Sequence, residues 1–482
     1  MQELDLVDSM SQEERIYQNF CMDRIYPDDA KYSDKNDPMR PYISERALWK
    51  KCAEVQYFLL ETGVEFGRGN QKNIDEAKVA FEKCDPLNMK LIESKVTKHD
   101  QLAVIEELGR YTSEKTKSYF HPGTTSYDII DTARSNLLKG AWKEVMRPKV
   151  TEVIEKFCDL AETYEDVVQV GRTHLQNTSP VSFGGYISNY AKRLAQRVEK
   201  VDQCVDEFKG KISGIVGTGA GPTMIFGDRA EEFEERVLEK LDLEPDTTAT
   251  QIVQKEGILD FGHFLVSLDG VLANYAEDMR FLYSSEVQEV TSRDNEKRLG
   301  GSSTDAGKNN PINWENIAGK YAEIESGMRV LYEMNRTNLQ RDLRNSVQAR
   351  YQPNKMMAEV YESFSRASGC MDMLSVNVDK IEKNLKRVRE FPTEAATTIL
   401  KGENFIHPEY GLPHSFVKEK AKESKRDKRK FIQVCKEDSE FLEVYKKMPE
   451  FKRSILEGEM ENYLGSHQKR AMENVAYARS II

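Results

Sequence analysis

The feature that most constrains the fold is helical periodicity sustained over most of the chain. In "GYISNYAKRLAQRVEKVDQCVDEFKG" the apolar residues Ile187, Tyr190, Ala191, Leu194, Val198, Val201, Val205 and Phe208 follow steps of three and four, which puts them on one helix face. The run "ILDFGHFLVSLDGVLANYAEDMRFL", residues 258–282, is apolar on nearly every side and predicts a helix enclosed in a bundle. Pro311 sits where another helix begins, and the helical pattern continues from there through Met334. Strand-like alternation is scarce, and no internal repeat or low-complexity tract is present. The expectation is an all-α chain.

Breaks in the pattern fall at "YPDDAKYSDKNDPMRPY" (26–42), "SYFHPGTTSYD" (118–128), "GIVGTGAGPTMIFGD" (214–228) and "PEYGLPHSF" (408–416). They suggest an N-terminal helical domain over 1–120, a central long-helix bundle over 121–370 and a C-terminal helical domain over 371–482.

Composition narrows the class. With 39% hydrophobic and 31% charged residues and no sufficiently long apolar run, the expectation is a soluble chain with no membrane partner. The acidic start "MQELDLVDSMSQEERIYQNF" argues against a targeting peptide. The cysteines (Cys21, Cys52, Cys84, Cys158, Cys204, Cys370 and Cys435) are odd in number and never spaced CxxC. They read as reduced thiols in a cytoplasmic protein. A net charge of −11 disfavours nucleic acid as a partner. "KEKAKESKRDKRK", Lys418 to Lys430, is a local exception; Glu419, Glu423 and Asp427 interrupt it, so it reads first as a solvated helix face, with a functional basic patch as the alternative.

Only seven histidines are present, so their company matters. His99 in "TKHDQLAV", His121 in "FHPGTTSYD" and His174 in "VGRTHLQNTSP" each sit among small polar residues at an expected loop or helix end. Any one of them is an ordinary structural hydrogen-bonder; together they are candidates for general acid–base work. His263, inside the apolar run, reads as a core histidine, and no spacing of ligands suggests a metal site. "GTGAG" (217–221) lacks a preceding strand and is followed by Pro222, which argues against nucleotide cradling. No GxSxG elbow is present.

The most informative stretch is "GSSTDAGKNNPINWEN", which begins at Gly301. Gly300 and Gly301 give flexibility, Ser302 and Ser303 are small nucleophile-or-base candidates, and Lys308 and Asn310 supply donors. Pro311 then opens a helix whose N-terminal dipole favours an anion. Such a loop suits the removal of a proton from carbon beside a carboxylate, where negative charge builds up and must be stabilised. An ordinary Gly/Ser/Asn loop remains the bland alternative.

These pieces together resemble the fumarase/aspartase superfamily and, within it, the adenylosuccinate lyase family. The loop is similar to GSSxMPxKxNPxxxEN, "GRTHLQNTSPVSFG" to GRTHxQxAxPxTFG, and "HPGTTSYDIIDTA" to HxGxTSxDxxDTA. "KHD" (98–100), "ATQIVQK" (249–255), "QRDLRNSVQAR" (340–350) and a weaker "NYLG" (462–465) follow in order, so the resemblance spans about 26–465. The shared loop does not choose a substrate. The HD and HxGxTSxD blocks point to the adenylosuccinate lyases and away from fumarases, aspartases and argininosuccinate lyases.

The resemblance implies a mostly helical three-domain subunit in a homotetramer, with active sites shared between subunits and no cofactor. It implies β-elimination of fumarate from a purine nucleotide substrate. Ser302 would take the Cβ proton and His174 would protonate the leaving nitrogen. His99 would hold substrate and orient His174, with Lys98 and Asp100 beside it, and His121 would take a binding role. Thr125, Ser126, Ser303, Lys308 and Asn310 would bind the succinyl carboxylates, and Asn316 lies in the same block. Gln251 would meet the substrate amide or carboxylate. Arg341, Ser346 and Arg350 would hold the nucleotide side, with Lys31 and Tyr32 at the phosphate.

The departures are Asp305-Ala306 for the family's Met-Pro, Lys31 for an Arg, and Lys255-Glu256 for Arg-Asp. Lysine keeps the charge and loses the bidentate fork. Asp305 is expected to point away from the closed site. A sister lyase acting on another N-succinyl compound, and a silent protein on the same scaffold, are the competing readings. Retention of Ser302, His174, His99, Lys308 and Asn310 speaks against the silent one.

Overall fold

Each helical pattern forms the helix its spacing requires. The computed structural model describes residues 11–23, 31, 33–293, 304 and 308–482. Phe183–Asp206 is one helix, and the whole apolar set from Ile187 to Val205 is buried along it, as is Phe208 just beyond its end. Glu256–Tyr283 encloses Phe261, Leu265, Leu268, Leu272, Tyr275 and Met279. Ile312–Met334 starts directly after Pro311, whose carbonyl accepts the Glu315 amide at 3.0 Å. Arg344–Asp372 completes the set of long helices, and the fold is all-α.

The chain divides into two compact units. The first is Met1–Val150, Arg197–Gly270 and Gly319–Arg366; the second is Thr151–Gln196, Val271–Ala318 and Ala367–Ile482. In the first, missing side chains let long helices approach closely. A Cβ at Gly262 would lie 2.3 Å from Leu331, and one at Gly327 would lie 2.2 Å from the Gln352 amide. His263, expected in the core, is instead exposed in the chain, with Nε2 3.1 Å from the Tyr332 hydroxyl. The helix that carries it is covered on its leucine and phenylalanine side and open on the side of Asp260 and His263.

The second unit holds a β-hairpin that sequence periodicity did not show. Val168–Thr173 pairs antiparallel with Gln176–Ser182, in the register Val168↔Ser182 and Thr173↔Gln176. The register shifts between Val170 and Arg172, and a Cβ on Gly171 would lie 2.4 Å from the Ser179 carbonyl oxygen. Only glycine fits that bulge. Val168 and Val170 join a core with Leu385, Phe416, Phe431 and Phe441. Each such buried side chain stabilises the fold by about 1.5–3 kcal/mol. A second antiparallel pair joins Val290–Ser292 to Leu374–Val376.

Cys52, Cys84, Cys158, Cys204, Cys370 and Cys435 are free thiols. Among the described residues no helix is long and apolar enough to cross a membrane, and no group of His, Cys, Asp and Glu could hold a metal ion.

Candidate active site

In the first unit the "KHD" block makes a helix start. Lys98 takes a left-handed conformation at φ 53°, and His99 becomes the N-cap of Asp100–Gly109. The His99 Nδ1 accepts the Leu102 amide at 3.4 Å, which leaves the neutral ring's proton on Nε2. That nitrogen lies 3.1 Å from the Ser126 Oγ. If the ring takes a second proton, Asp100 Oδ1 waits 3.4 Å from Nδ1.

Ser126 opens the helix Ser126–Gly140, and Thr125 caps it in a reciprocal box with Asp128. The Thr125 amide donates to Asp128 Oδ2 at 2.6 Å. Asp128 is fully buried, pairs with the Lys211 ammonium and accepts the Gly214 amide at 3.2 Å. The turn presenting Thr125 and Ser126 is therefore pinned from beneath by a buried ion pair. Loop 214–221 supplies the packing: a Cβ at Gly123 would lie 2.6 Å from the Gly221 backbone. The "GTGAG" glycines serve a close approach of two chain segments, in keeping with the reading against nucleotide cradling.

His121 also sits at positive φ, 56°, and is clasped by Gln56. The Gln56 Oε1 accepts the His121 backbone N–H at 3.0 Å, which turns its amide nitrogen toward the ring, 2.9 Å from Nδ1. That nitrogen donates, so Nδ1 must be an acceptor and the ring's proton sits on Nε2. Burial, reinforced by the nearby His99 ring, pushes His121 down to about 4. It is a neutral donor at neutral pH.

Arg341 is held on three sides. Its guanidinium stacks 3.4 Å from the Tyr127 ring centroid and donates to Gln251 Oε1 at 2.8 Å and to Ser346 Oγ at 2.7 Å. Tyr127 closes the circuit through its hydroxyl, 2.5 Å from Ser346 Oγ. The Arg341 Nε is buried and has no hydrogen-bond partner among the described residues. Arg350 lies farther along and is exposed; it lines a cavity of about 310 Å³ together with Asp100, Tyr127 and Lys255. Lys255, one of the departures from the family pattern, is buried and paired with Asp131 at 2.6 Å. Its change from arginine is thus taken up by an internal ion pair.

In the second unit His174 and Leu175 form the two-residue tip of the hairpin, both left-handed at φ 51° and 59°. Both are exposed. Two residues before His174, Arg172 makes a forked contact with fully buried Glu289, with one arm at 3.0 Å. Glu289 also accepts Gln169 at 2.6 Å and Asn384 at 2.7 Å. At the hairpin's far end, His467 Nδ1 accepts the Ser182 amide at 3.0 Å, and its ring fills the space a Cβ on Gly185 would need. Lys308 is exposed, Asn310 precedes Pro311, and Asn316 lies near the start of Ile312–Met334 with a buried Oδ1 unpartnered among the described residues. Ser302, Ser303, Tyr32 and the Asp305-Ala306 pair lie outside the described residues. Lys31 is described and exposed.

The first unit thus brings together His99, Thr125, Ser126, Gln251, Arg341 and Ser346. His174, Lys308, Asn310 and Asn316 belong to the second unit. Sequence reasoning missed the residues that hold them: Gln56, Tyr127, Asp128 with Lys211, and Glu289 with Arg172. Tyr127, Asp128 and Arg172 stood inside the motif blocks; Gln56, Lys211 and Glu289 carried no local signal.

Residues 12–325 match a family model described as Lyase. Over 465 residues the chain is 27% identical to an adenylosuccinate lyase of Archaeoglobus fulgidus, covering 95% of this chain and 99% of that one. It is 29% identical over 466 residues to an adenylosuccinate lyase of Pyrococcus abyssi, covering 94% and 97%. A solved 3-carboxy-cis,cis-muconate lactonizing enzyme from Pseudomonas putida superposes with a TM-score of 0.78 at 17% identity, over 92% of this chain and 97% of that one. At that identity the likeness is one of fold alone. With its motif blocks in order and a family match over well more than half its length, the chain belongs to the lyase family of the fumarase/aspartase superfamily.

Proposed function

We propose that this chain cleaves adenylosuccinate by anti β-elimination, giving AMP and fumarate, and performs the same elimination on the succinylated aminoimidazole carboxamide ribotide. The observation that carries the reading is the convergence of sequence-distant blocks in the first unit: His99 on Ser126, and Arg341 on Gln251, Ser346 and Tyr127. A stacked, pre-oriented guanidinium with Nε still unpartnered suits a planar anion or phosphate.

In this reading Arg341, Ser346 and Arg350 hold the nucleotide side, while Thr125, Ser126, Lys308 and Asn310 hold the carboxylates. Ser302 removes the Cβ proton, the electron pair moves into the carboxylate as an aci-carboxylate, and the C–N bond then breaks as His174 protonates the nitrogen. A serine is a poor base in water, so it must act desolvated and among donors, which Ser303 and Lys308 would supply. His99 donates a hydrogen bond from Nε2 to Ser126 or substrate, and neutral His121 donates from Nε2. An exposed hairpin tip is a poor place for a general acid unless another surface closes on it. That supports a homotetramer with shared sites; the reading further takes the subunit as three domains, 1–120, 121–370 and 371–482, working in the cytoplasm.

The test is to incubate purified protein with adenylosuccinate and EDTA and to follow AMP and fumarate. Both should appear in equal amounts. Absence of fumarate after prolonged incubation at high enzyme concentration sinks the reading. Fumarate release from a different N-succinyl compound alone would transfer the chain to a sister substrate.

A further inference from the structure

The basic run Lys418 to Lys430, which the proposed chemistry leaves unused, has a structural role of its own. Within the helix Pro413–Asp427, some of its charges are paired with neighbouring acids and some are not. Lys422 pairs with Glu419 at 2.7 Å, Lys420 with Glu423 at 3.5 Å and Arg426 with Asp427 at 2.7 Å. The stripe His414, Lys418, Ala421 and Lys425, at helical spacing, lines a groove of about 710 Å³ together with the paired Lys422.

Across the groove stand Arg387, from Val378–Glu390, and Lys401, from Thr393–Gly402. Among the described residues, Arg387, Lys401, Lys418 and Lys425 make no ion pair and no side-chain hydrogen bond. In a chain of net charge −11, four unneutralised cations on one concavity are a concentrated positive field. The one carboxylate lining it, Glu394, is taken by hydroxyls: Ser179 at 2.5 Å, Thr398 at 3.0 Å and Tyr463 at 3.2 Å. The floor is apolar and partly aromatic, from Val388, Phe391, Ala421 and Tyr463. The volume is that of a small-molecule site.

We propose that this groove binds a nucleoside oligophosphate, with the phosphates among Arg387, Lys401, Lys418 and Lys425 and the ring system over Phe391 and Tyr463. It lies wholly within the second unit and involves none of the residues assigned to substrate, so it stands or falls apart from the proposed reaction. The full-length protein is titrated calorimetrically with ATP, AMP and inorganic tripolyphosphate, and its lysines are acetylated with and without ATP. The expected result is saturable binding of ATP, with AMP and tripolyphosphate each weaker. Lys401, Lys418 and Lys425 should be protected while Lys428 stays reactive. R387A/K418A/K425A should weaken ATP binding by about tenfold or more, since each exposed pair contributes a fraction of a kcal/mol. Arg341→Ala, which disables the proposed nucleotide clamp, should leave this binding in place. No saturable binding up to millimolar ATP, equal binding by the triple variant, or loss of binding in Arg341→Ala each overturns the assignment. Tripolyphosphate binding as tightly as ATP overturns its nucleoside part.

Discussion

Glu289→Ala should cripple an elimination in which Glu289 takes no chemical part. Its carboxylate is fully buried and accepts Gln169 at 2.6 Å, Asn384 at 2.7 Å and both arms of Arg172, one of them at 3.0 Å. Removing it leaves the guanidinium, only 13% exposed, without a counter-charge. Stranding one member of a buried pair costs about 3–5 kcal/mol. Arg172 lies two residues before His174 on the same strand, so the strain is relieved most directly by displacing the hairpin. If the acid works only from the docked hairpin, the same energy corresponds to about two hundredfold to five thousandfold in turnover. The assay is initial fumarate release together with the thermal unfolding midpoint, for Glu289→Ala, for Arg172→Met and for E289L/R172M. The double variant strands no charge, so it should regain most of the lost stability, with a coupling of a few kcal/mol between the positions. Glu289→Ala enzyme with turnover within twofold of the parent and an unmoved midpoint would show that the hairpin is held by something else.

His174→Ala should lower turnover by about 10²–10⁴ with little change in KM, as expected for a proton donor; steady-state kinetics on adenylosuccinate decide it. Mixing it with Arg341→Ala protein should restore part of the activity if sites are shared between subunits, and none after verified exchange if they are not. His121 gives a pH signature. The unfolded ring takes up its proton near 6.5 and the folded one only near 4, so stability is full above about pH 6.5 and falls as the pH falls between these values. The loss totals about 3 kcal/mol. His121→Asn, which tolerates the positive φ, should flatten that slope in denaturation midpoints taken across the range; an unchanged slope rules His121 out as its source.

How much of this was legible depended on the range of the interaction. Pro311 and Met334 bound a helix because proline's fixed φ and the apolar period act locally, and the enclosed run at 258–282 became the enclosed helix Glu256–Tyr283. The hairpin was hidden because its strands break the alternation that marks strands: Gly171 bulges, and "QNTSPVS" is polar on both faces until Pro180. Its turn carries no Asn-Gly signal. Gln56, 65 residues before His121, and Glu289, 117 residues after Arg172, are joined to the site only by the fold. The basic run falls largely on exposed positions, as a solvated face does; only the fold shows that Lys418 and Lys425 share a groove with Arg387 and Lys401.

The tip of that hairpin carries the last expectation. A two-residue turn with both φ angles positive favours Asn-Gly, and a side chain held there costs about 1–2 kcal/mol per residue. His174 and Leu175 both bear that cost, and Leu175 is 71% exposed besides. For an isolated subunit Leu175→Gly should therefore be stabilising, by about 1 kcal/mol, because glycine relieves the strain and no buried contact is lost. In an assembled enzyme whose sites close over the hairpin tip, the exposed leucine would be the side chain offered to the closing surface, and its removal would free the tip that carries His174. The expected pair of results is an unfolding midpoint equal to or above the parent's under dissociating conditions, and turnover several-fold lower in the assembled state. Turnover that rises or stays level with stability would mean that nothing packs on Leu175 during catalysis, and the shared-site reading would lose its main structural support.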